Sequence, residues 1–200
     1  AVLPPLREYQ RQAVNAFVNQ CTLQSGIIHA PPGFGKTFTS MHIASHQQGA
    51  VMILTPTTIA RDQWVDVLRT RGVDTLVLGR DDGFVWGGVG AVVSTYHIVA
   101  SRHKLSRDLA AIVARALTIS YGTLILDEVH VVPAPTFSTV CETVFRRITL
   151  GCTATLVRSD DRIKDLHDLV GGPVRFEASR EDLAATGFFA TVEHEVYGVP

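Results

Sequence analysis

The sequence is short of the features that would assign it to several large classes. It has three cysteines, Cys21, Cys141 and Cys152, an odd number with no CxxC pair among them. Neither a disulfide framework nor a cysteine zinc site is expected, and reduced, buried thiols of an intracellular protein are. No sign of charge prevails, because 18 Lys and Arg stand against 19 Asp and Glu for a formal net charge of −1. The basic balance that would itself point to nucleic acid is missing, and composition alone suggests a cytosolic enzyme with small substrates. No apolar run approaches the roughly 18 residues of a membrane span. The opening Ala1-Val2-Leu3-Pro4-Pro5 has neither the basic nor the apolar region of a signal peptide, so no membrane partner is expected. His42 and His46 lie four apart, but Ile43 stands where a metalloprotease helix needs Glu. The first residue is Ala and not Met, which leads us to expect a piece of a longer protein.

What is present is ample apolar material, 46% of the chain, with no repeat, linker or low-complexity block. Short runs rich in Val, Ile, Leu and Thr predict strands over Gly26–Ala30, Val51–Thr55, Thr75–Leu78, Ala91–Thr95, Thr123–Asp127 and Ile148–Gly151. Several are apolar throughout, as in strands buried on both faces. Helical periodicity falls between them, over Tyr9–Gln20, Lys36–Gln48, Ile59–Arg71, Ser106–Leu117 and Thr136–Arg146. The segment Gly79–Gly90, with five glycines, reads as a loop or irregular edge, and the chain from Arg162 as helix, short strand and helix. Such alternation predicts an α/β fold, a mostly parallel, doubly wound sheet flanked by helices, with residues 1–200 in one domain.

Ile27-Ile28-His29 runs into Ala30-Pro31-Pro32-Gly33-Phe34-Gly35-Lys36-Thr37, and a helical pattern follows at once. Strand, glycine-rich loop and helix in that order form the context of a phosphate-binding loop. Gly33 and Gly35 permit the positive-φ backbone that aims N–H groups inward, and the helix start adds more donors. Lys36 would reach the β- and γ-phosphates of ATP, and the Thr37 hydroxyl would ligate Mg²⁺. Pro32 and Phe34 complete the loop, with Ala30 where the strict pattern has Gly.

A second apolar run, Leu124-Ile125-Leu126, ends in Asp127-Glu128-Val129-His130. Asp127 at the C-terminal end of a buried strand would hold Mg²⁺, and Glu128 would orient and deprotonate the attacking water. The C-terminal edge of a parallel sheet is where α/β proteins bind ligands, so Asp127 and Lys36 should meet there.

Asp-Glu-Val-His is one variant of the DExH box of superfamily two helicases, and other pieces of that pattern follow in order. Leu6-Arg7-Glu8-Tyr9-Gln10 resembles the Q motif, with Gln10 suited to the adenine edge and Arg7 to stacking on the base. Leu54-Thr55-Pro56-Thr57 with Gln63-Trp64 resembles motif Ia, and Ser94-Thr95-Tyr96 resembles motif Ib. Their hydroxyls and helix N-terminal N–H groups would grip backbone phosphates. Thr153-Ala154-Thr155 resembles motif III, which links the ATP site to the nucleic-acid groove.

Longer runs carry a closer resemblance. Asp127–Phe137, DEVHVVPAPTF, is similar to the DEVH-x-x-PA-x-x-F run of the XPB family, and Leu150–Asp161, LGCTATLVRSDD, to its LGLTATLVREDD stretch. Asp165-Leu166, Leu169-Val170-Gly171-Gly172-Pro173 and Gly187-Phe188-Phe189-Ala190 resemble later segments of the same family. The resemblance implies the first RecA-like domain of an ATP-driven double-stranded DNA translocase. In eukaryotes such a protein sits in TFIIH beside the helicase XPD, opening promoters and excision-repair bubbles. A nuclear location is implied for a eukaryotic source and a cytoplasmic one otherwise. The resemblance also assigns nucleic-acid or coupling roles to His130, Thr155, Arg158 and Asp160.

Three departures stand out. Ser159 replaces the central Glu of the family's Arg-Glu-Asp element, Phe34 replaces a smaller loop residue, and Gly171-Gly172 carries an extra glycine. Phe34 would either crowd the γ-phosphate or pack on a neighbouring segment. No second RecA-like domain, and hence no arginine finger, follows in these 200 residues, so the domain alone is expected to bind ATP weakly and hydrolyse it negligibly. A restriction-type or viral superfamily two translocase, an RNA helicase, and a specialised paralogue or scaffold with reduced DNA opening remain the alternatives.

Overall fold

The structure, a computed structural model, describes residues 3–19, 22–80, 88–131, 141–155 and 160–187, with backbone alone at 19, 22 and 160–163. Helix α1 (Glu8–Phe17) leads into a two-stranded antiparallel hairpin, β1 (Val18–Asn19) and β2 (Thr22–Leu23). The main sheet follows, made of β3 (Gly26–His29), β4 (Val51–Thr55), β5 (Thr75–Val77), β6 (Ala91–Thr95), β7 (Tyr121–Asp127), β8 (Arg146–Thr153) and β9 (Val174–Glu177). Helices α2 (Lys36–Ser45), α3 (Thr58–Thr70), α4 (Tyr96–Ala100) and α5 (Arg107–Leu117) lie between strands, and helices Asp160–Val170 and Arg180–Ala184 flank β9.

The strand order is β5-β6-β4-β7-β8-β3-β9, and every pairing is parallel. Successive residues of one strand feed different cores. Ile28, Ile53, Val93 and Ile125 pack with α1, α2 and α3, while their neighbours Ile27, Met52, Val92 and Leu124 pack with Val113 of α5 and Leu166. The sheet is thus sandwiched between two helical layers, which is why its strands read as continuous apolar runs. Each fully buried Ile or Leu contributes about 1.5–3 kcal/mol.

Several ends differ from the sequence expectation, each for a local reason. Helix α1 stops at Phe17 and not Gln20, because Val18-Asn19 enter the hairpin and Gln24 N donates to Phe17 O at 3.0 Å. Helix α2 stops at Ser45, where the chain tightens through His46 N to Ile43 O and Gln47 N to Ala44 O before Gly49 at φ 108°. Of the helix expected over Thr136–Arg146, residues 136–140 lie outside the described residues, 141–143 are helical, and Arg146 already begins β8. The Arg146 guanidinium donates to Cys141 O at 2.6 Å and Val144 O at 3.1 Å, satisfying carbonyls at the end of that turn. The five-residue α4, starting directly from β6, was not anticipated.

The departure at Gly171-Gly172 has a packing reason. Gly171, at φ 73°, ends its helix, and both glycine N–H groups donate to His167 O at 2.8 and 3.1 Å. Gly172 lies so close to the main chain of Ser25 that no Cβ fits. This lets Pro173 O accept from Ile27 N at 3.0 Å and bring β9 alongside β3.

Candidate nucleotide and nucleic-acid site

The loop after β3 turns through two left-handed glycines, Gly33 at φ 86° and Gly35 at φ 87°, before α2 starts at Lys36. Gly35 needs its lack of side chain twice over, since a Cβ there would also stand 2.5 Å from Gln10 Nε2. Lys36 Nζ donates to Ala30 O at 2.8 Å and Pro31 O at 3.3 Å, which holds the ammonium over the loop mouth. Thr37 is half-buried in the first turn of α2, and Pro32 and Gly33 are exposed. Beneath the loop, Ser40 and Cys152 meet at 3.0 Å, which ties α2 to β8. The Phe34 ring is fully buried between Tyr9, with centroids 5.1 Å apart, and Phe176, at 5.4 Å. Of the two readings of Phe34, the ring takes the packing one, and the residue meets the loop only through its backbone.

Gln10 joins the Q-motif segment to this loop. Its Oε1 accepts from Arg7 N at 3.0 Å, which fixes the amide's orientation, and its Nε2 donates to Phe34 O at 2.9 Å. One Nε2 hydrogen and one Oε1 lone pair remain, the complement of an adenine N6/N7 edge. Arg7 is exposed and its Nη1 donates to Tyr9 Oη at 2.9 Å. A cleft of about 330 Å³ opens here, lined by Arg7, Gln10, Gly33, Gly35, Phe38 and Arg71 among others. The Arg71 guanidinium sits 5.4 Å from the Phe38 ring centroid. Neither residue was singled out from sequence. Arg71 caps α3, far along the chain from both motifs that make the cleft, and only the fold brings it beside Phe38.

Strands β7, β8 and β3 are neighbours, with Asp127 opposite Cys152 and Cys152 opposite Ile28. Asp127 and the loop that follows His29 therefore lie at the same sheet edge, two strand spacings or about 10 Å apart. Burial raises the Asp127 carboxyl above the ordinary carboxylate range, as does the Glu128 charge, while hydrogen bonds from Trp64 and from Glu128 N, and the Lys36 charge, oppose the rise. Asp127 Oδ2 accepts from Trp64 Nε1 at 3.0 Å, its Oδ1 from Glu128 N at 3.2 Å, and its main-chain O from Tyr96 Oη at 3.0 Å.

Glu128 holds φ 48°, a left-handed conformation that a side-chain-bearing residue rarely adopts, and such strain clusters at functional sites. The turn swings its carboxylate towards β8. Oε2 accepts from Ala154 N at 3.5 Å and lies 3.4 Å from both Thr153 Oγ1 and His130 Nδ1. His130 Nδ1 and Thr153 Oγ1 are 2.8 Å apart, and Thr153 Oγ1 also donates to Thr155 O at 2.8 Å. The Asp127–His130 box and the Thr153–Thr155 segment thus share one polar network.

The hydroxyls that the sequence offered to backbone phosphates lie mostly inside the fold. The side chains of Thr55, Ser94, Thr95 and Tyr96 are buried, and the Thr55 hydroxyl donates to Thr57 O at 3.0 Å and Ser94 O at 3.4 Å. Groups open to solvent are Thr57, Thr58 and Ile59 at the start of α3, beside half-buried Pro56, together with Thr155. Thr57 and Thr95 cap α3 and α4 through Ala60 N at 3.2 Å and Ile98 N at 3.3 Å. Arg158 and Ser159 lie outside the described residues, as do Val132–Phe137 and Phe188–Pro200, and Asp160 begins a helix. Cys141 and Cys152 are free and buried, and Cys21 lies outside the described residues. His42 Nε2 and His46 Nδ1 each meet a backbone carbonyl, Pro4 O at 2.8 Å and His42 O at 2.9 Å.

An all-parallel sheet with a glycine-rich loop after an inner strand, and a carboxylate pair ending the strand two places away, defines a P-loop domain of RecA-like architecture. More particularly, the chain belongs to the family described as "Type III restriction enzyme, res subunit", which it matches over residues 3–158. Among curated proteins it is 34% identical over 202 residues to the "General transcription and DNA repair factor IIH helicase/translocase subunit XPB" of Enterocytozoon bieneusi, covering 94% of this chain and 33% of that protein. It is likewise 34% identical over 194 residues to the XPB/SSL2 subunit of Saccharomyces cerevisiae, covering 94% and 23%. The chain thus spans about a third or less of these relatives' length, and the resemblance to the XPB family holds across nearly all of it. Among solved structures, the Hef helicase domain of Pyrococcus furiosus superposes with a TM-score of 0.71 at 19% identity, over 95% of this chain and 41% of that one. The Sulfolobus solfataricus SWI2/SNF2 ATPase core in complex with dsDNA gives 0.63 at 16%, over 84% and 36%. At these identities the two structures establish the fold. A helicase-type family implies ATP dependence.

Proposed function

We propose that the chain is the ATP-binding motor domain of an XPB-type double-stranded DNA translocase or helicase, one RecA-like unit of a longer protein. The observation that carries this reading is the shared sheet edge, where the Lys36 loop, the Asp127–Glu128 pair and the His130–Thr153 network stand side by side. Gly33, Gly35 and the start of α2 cradle the phosphates, Lys36 neutralises the β- and γ-phosphates, and Gln10 with Arg7 receives the base. Thr37 and Asp127 fit Mg²⁺, a hard cation that takes one or two protein oxygens and completes its shell with phosphate and water. Among the described residues no cluster of three or more His, Cys, Asp or Glu forms a dedicated cage, as suits an ion delivered with nucleotide. Held there, Mg²⁺ would supply positive charge to offset that of the phosphates. Glu128 orients and deprotonates the attacking water, and its link to Thr153 reports the state of the nucleotide to the nucleic-acid side.

Duplex DNA lies across the starts of α3 and α4, and the nucleic-acid roles given to Arg158 and Asp160 rest on the family resemblance alone. A second RecA-like domain in the same chain supplies the arginine finger, and TFIIH subunits including an XPD-type helicase are the partners in a eukaryotic source. Location is nuclear there and cytoplasmic otherwise. The test is the ATPase rate of the full-length protein with duplex DNA, single-stranded DNA and RNA. Strong stimulation by duplex supports the reading, and stimulation by RNA alone would move the protein to the RNA helicases. Glu128→Gln should lower turnover at least about 100-fold while ATP binding stays within a few-fold, and a turnover that survives would sink the base assignment.

A further inference from the structure

Asp127 receives three hydrogen bonds, and two of them come from distant elements that share one property. Trp64 Nε1 donates to Oδ2 at 3.0 Å, and Tyr96 Oη donates to the main-chain O at 3.0 Å. Trp64 lies on α3, two turns after the cap Thr57, and Tyr96 is the first residue of α4, directly after the cap Thr95. The strands that launch these helices are paired, with Thr55 opposite Thr95, so both segments leave the same sheet edge together. They are the Thr55–Thr57 and Ser94–Tyr96 segments that the proposed function sets against nucleic acid. Trp64 and Tyr96 are 3% and 0% exposed, so neither side chain reaches a bound strand itself. What each offers is one polar atom, and in both cases it is spent on Asp127.

We propose that Trp64 and Tyr96 are positioning residues that couple nucleic-acid engagement at the starts of α3 and α4 to the placement of Asp127, the carboxylate suited to Mg²⁺. This rests on the motor reading above. A shift of α3 moves the indole N–H that fixes one oxygen of the carboxylate, leaving Oδ1 to the adjacent Glu128 N–H. A shift of α4 moves the residue's own carbonyl, and with it the backbone that carries Glu128 into its left-handed turn. Coupling of this kind is reciprocal. Nucleic acid should tighten the response to Mg²⁺-nucleotide, and Mg²⁺-nucleotide should tighten nucleic-acid binding.

Packing alone would also bury an indole and a phenol here, so the variants must remove the polar atom and keep the ring. Trp64→Phe and Tyr96→Phe do so in the full-length protein. ATPase is measured against Mg²⁺ concentration, with and without duplex DNA, alongside melting temperature. Trp64→Phe should raise the Mg²⁺ half-saturation on the order of tenfold, as loss of a hydrogen bond to a charged group implies, and lower the ratio of DNA-stimulated to basal turnover. Tyr96→Phe, nearly isosteric, should lower that ratio with Mg²⁺ half-saturation within about twofold. If both variants lose melting temperature but keep the wild-type Mg²⁺ response and stimulation ratio, the two residues only pack and the proposal is overturned. If the wild type itself shows no stimulation by any nucleic acid, the motor reading fails and the coupling fails with it.

Discussion

Replacing Gly35 with Ala tests the nucleotide site at the point where backbone and Q motif meet. The residue sits at φ 87° and ψ 37° as the cap of α2, and an added Cβ would stand 2.5 Å from Gln10 Nε2. Holding Ala in the left-handed region costs about 1–2 kcal/mol. Gln10 must also withdraw, which breaks its bond to Phe34 O and leaves a buried carbonyl unpaired at about 1–3 kcal/mol. Together these come to about 2–5 kcal/mol against the loop conformation that binds phosphate, or roughly 30-fold to beyond 10³-fold in ATP affinity. The assay is equilibrium binding of a fluorescent ATP analogue, with circular dichroism as the fold control. A cycle with Gln10→Ala separates the two costs. Once the carboxamide is gone, Gly35→Ala should cost only the backbone part, so the pair should fall short of additivity by about 1–3 kcal/mol. Additive effects, or unchanged affinity in the single variant, would refute the contact between Gln10 and the loop.

Phe34→Ala empties a fully buried ring site and should cost about 3–5 kcal/mol, lowering the melting temperature by roughly 6–20 °C for a domain of this size. An unchanged melting temperature with altered ATP affinity would instead put the ring against the phosphates. Arg71→Ala should weaken ATP about two- to fivefold and leave pyrophosphate binding untouched, since the Phe38–Arg71 pair lines the base end of the cleft. Equal losses for both ligands would show that Arg71 acts on the phosphates. Burial pushes the thiols of Cys141 and Cys152 up to about 12, so at pH 8 only about one in ten thousand of either is thiolate. A thiol-reactive dye at pH 8 should therefore label at most one cysteine, Cys21, until denaturant is added, and rapid labelling of two or more would contradict the burial.

Most of the sheet was legible because its signal is local. Val51–Thr55 and Ala91–Thr95 are bounded as their apolar runs suggest, and each sends alternate side chains into two cores. The boundaries that moved were set by contacts no window of sequence contains. The hairpin that ends α1 needs Gln24 N to reach Phe17 O, and the early start of β8 needs Arg146 to take carbonyls from the preceding turn. Order along the sheet was legible only as a class. Alternation requires a parallel, doubly wound sheet, but the placement of β9 outside β3 rests on a glycine pair that lies against Ser25.

At the site, legibility divides along a different line. Residues whose proposed role follows from their own chemistry at a fixed offset, such as Lys36, Asp127 and Glu128, stand out in sequence because phosphate and metal sites favour those groups at those spacings. Residues whose work is done by where a helix delivers one polar atom do not. Trp64 enters the sequence reading only within the Gln63-Trp64 pair that resembles motif Ia, and its periodicity is that of a helix-packing residue, since Val65 and Leu68 share its core. That its single donor ends on Asp127 depends on how α3 packs over β4, β5 and β6. Thr55 and Ser94 stand at the other extreme. Hydroxyls at strand ends suggest phosphate ligands, and here they are buried and bonded to backbone carbonyls, so in the proposed function contact with a nucleic-acid strand passes to the main-chain donors at the starts of α3 and α4. A grip made of main-chain donors is indifferent to base sequence, and it moves as a rigid body with the helix behind it. That is the property a motor needs if contact with the strand is to be felt at Asp127.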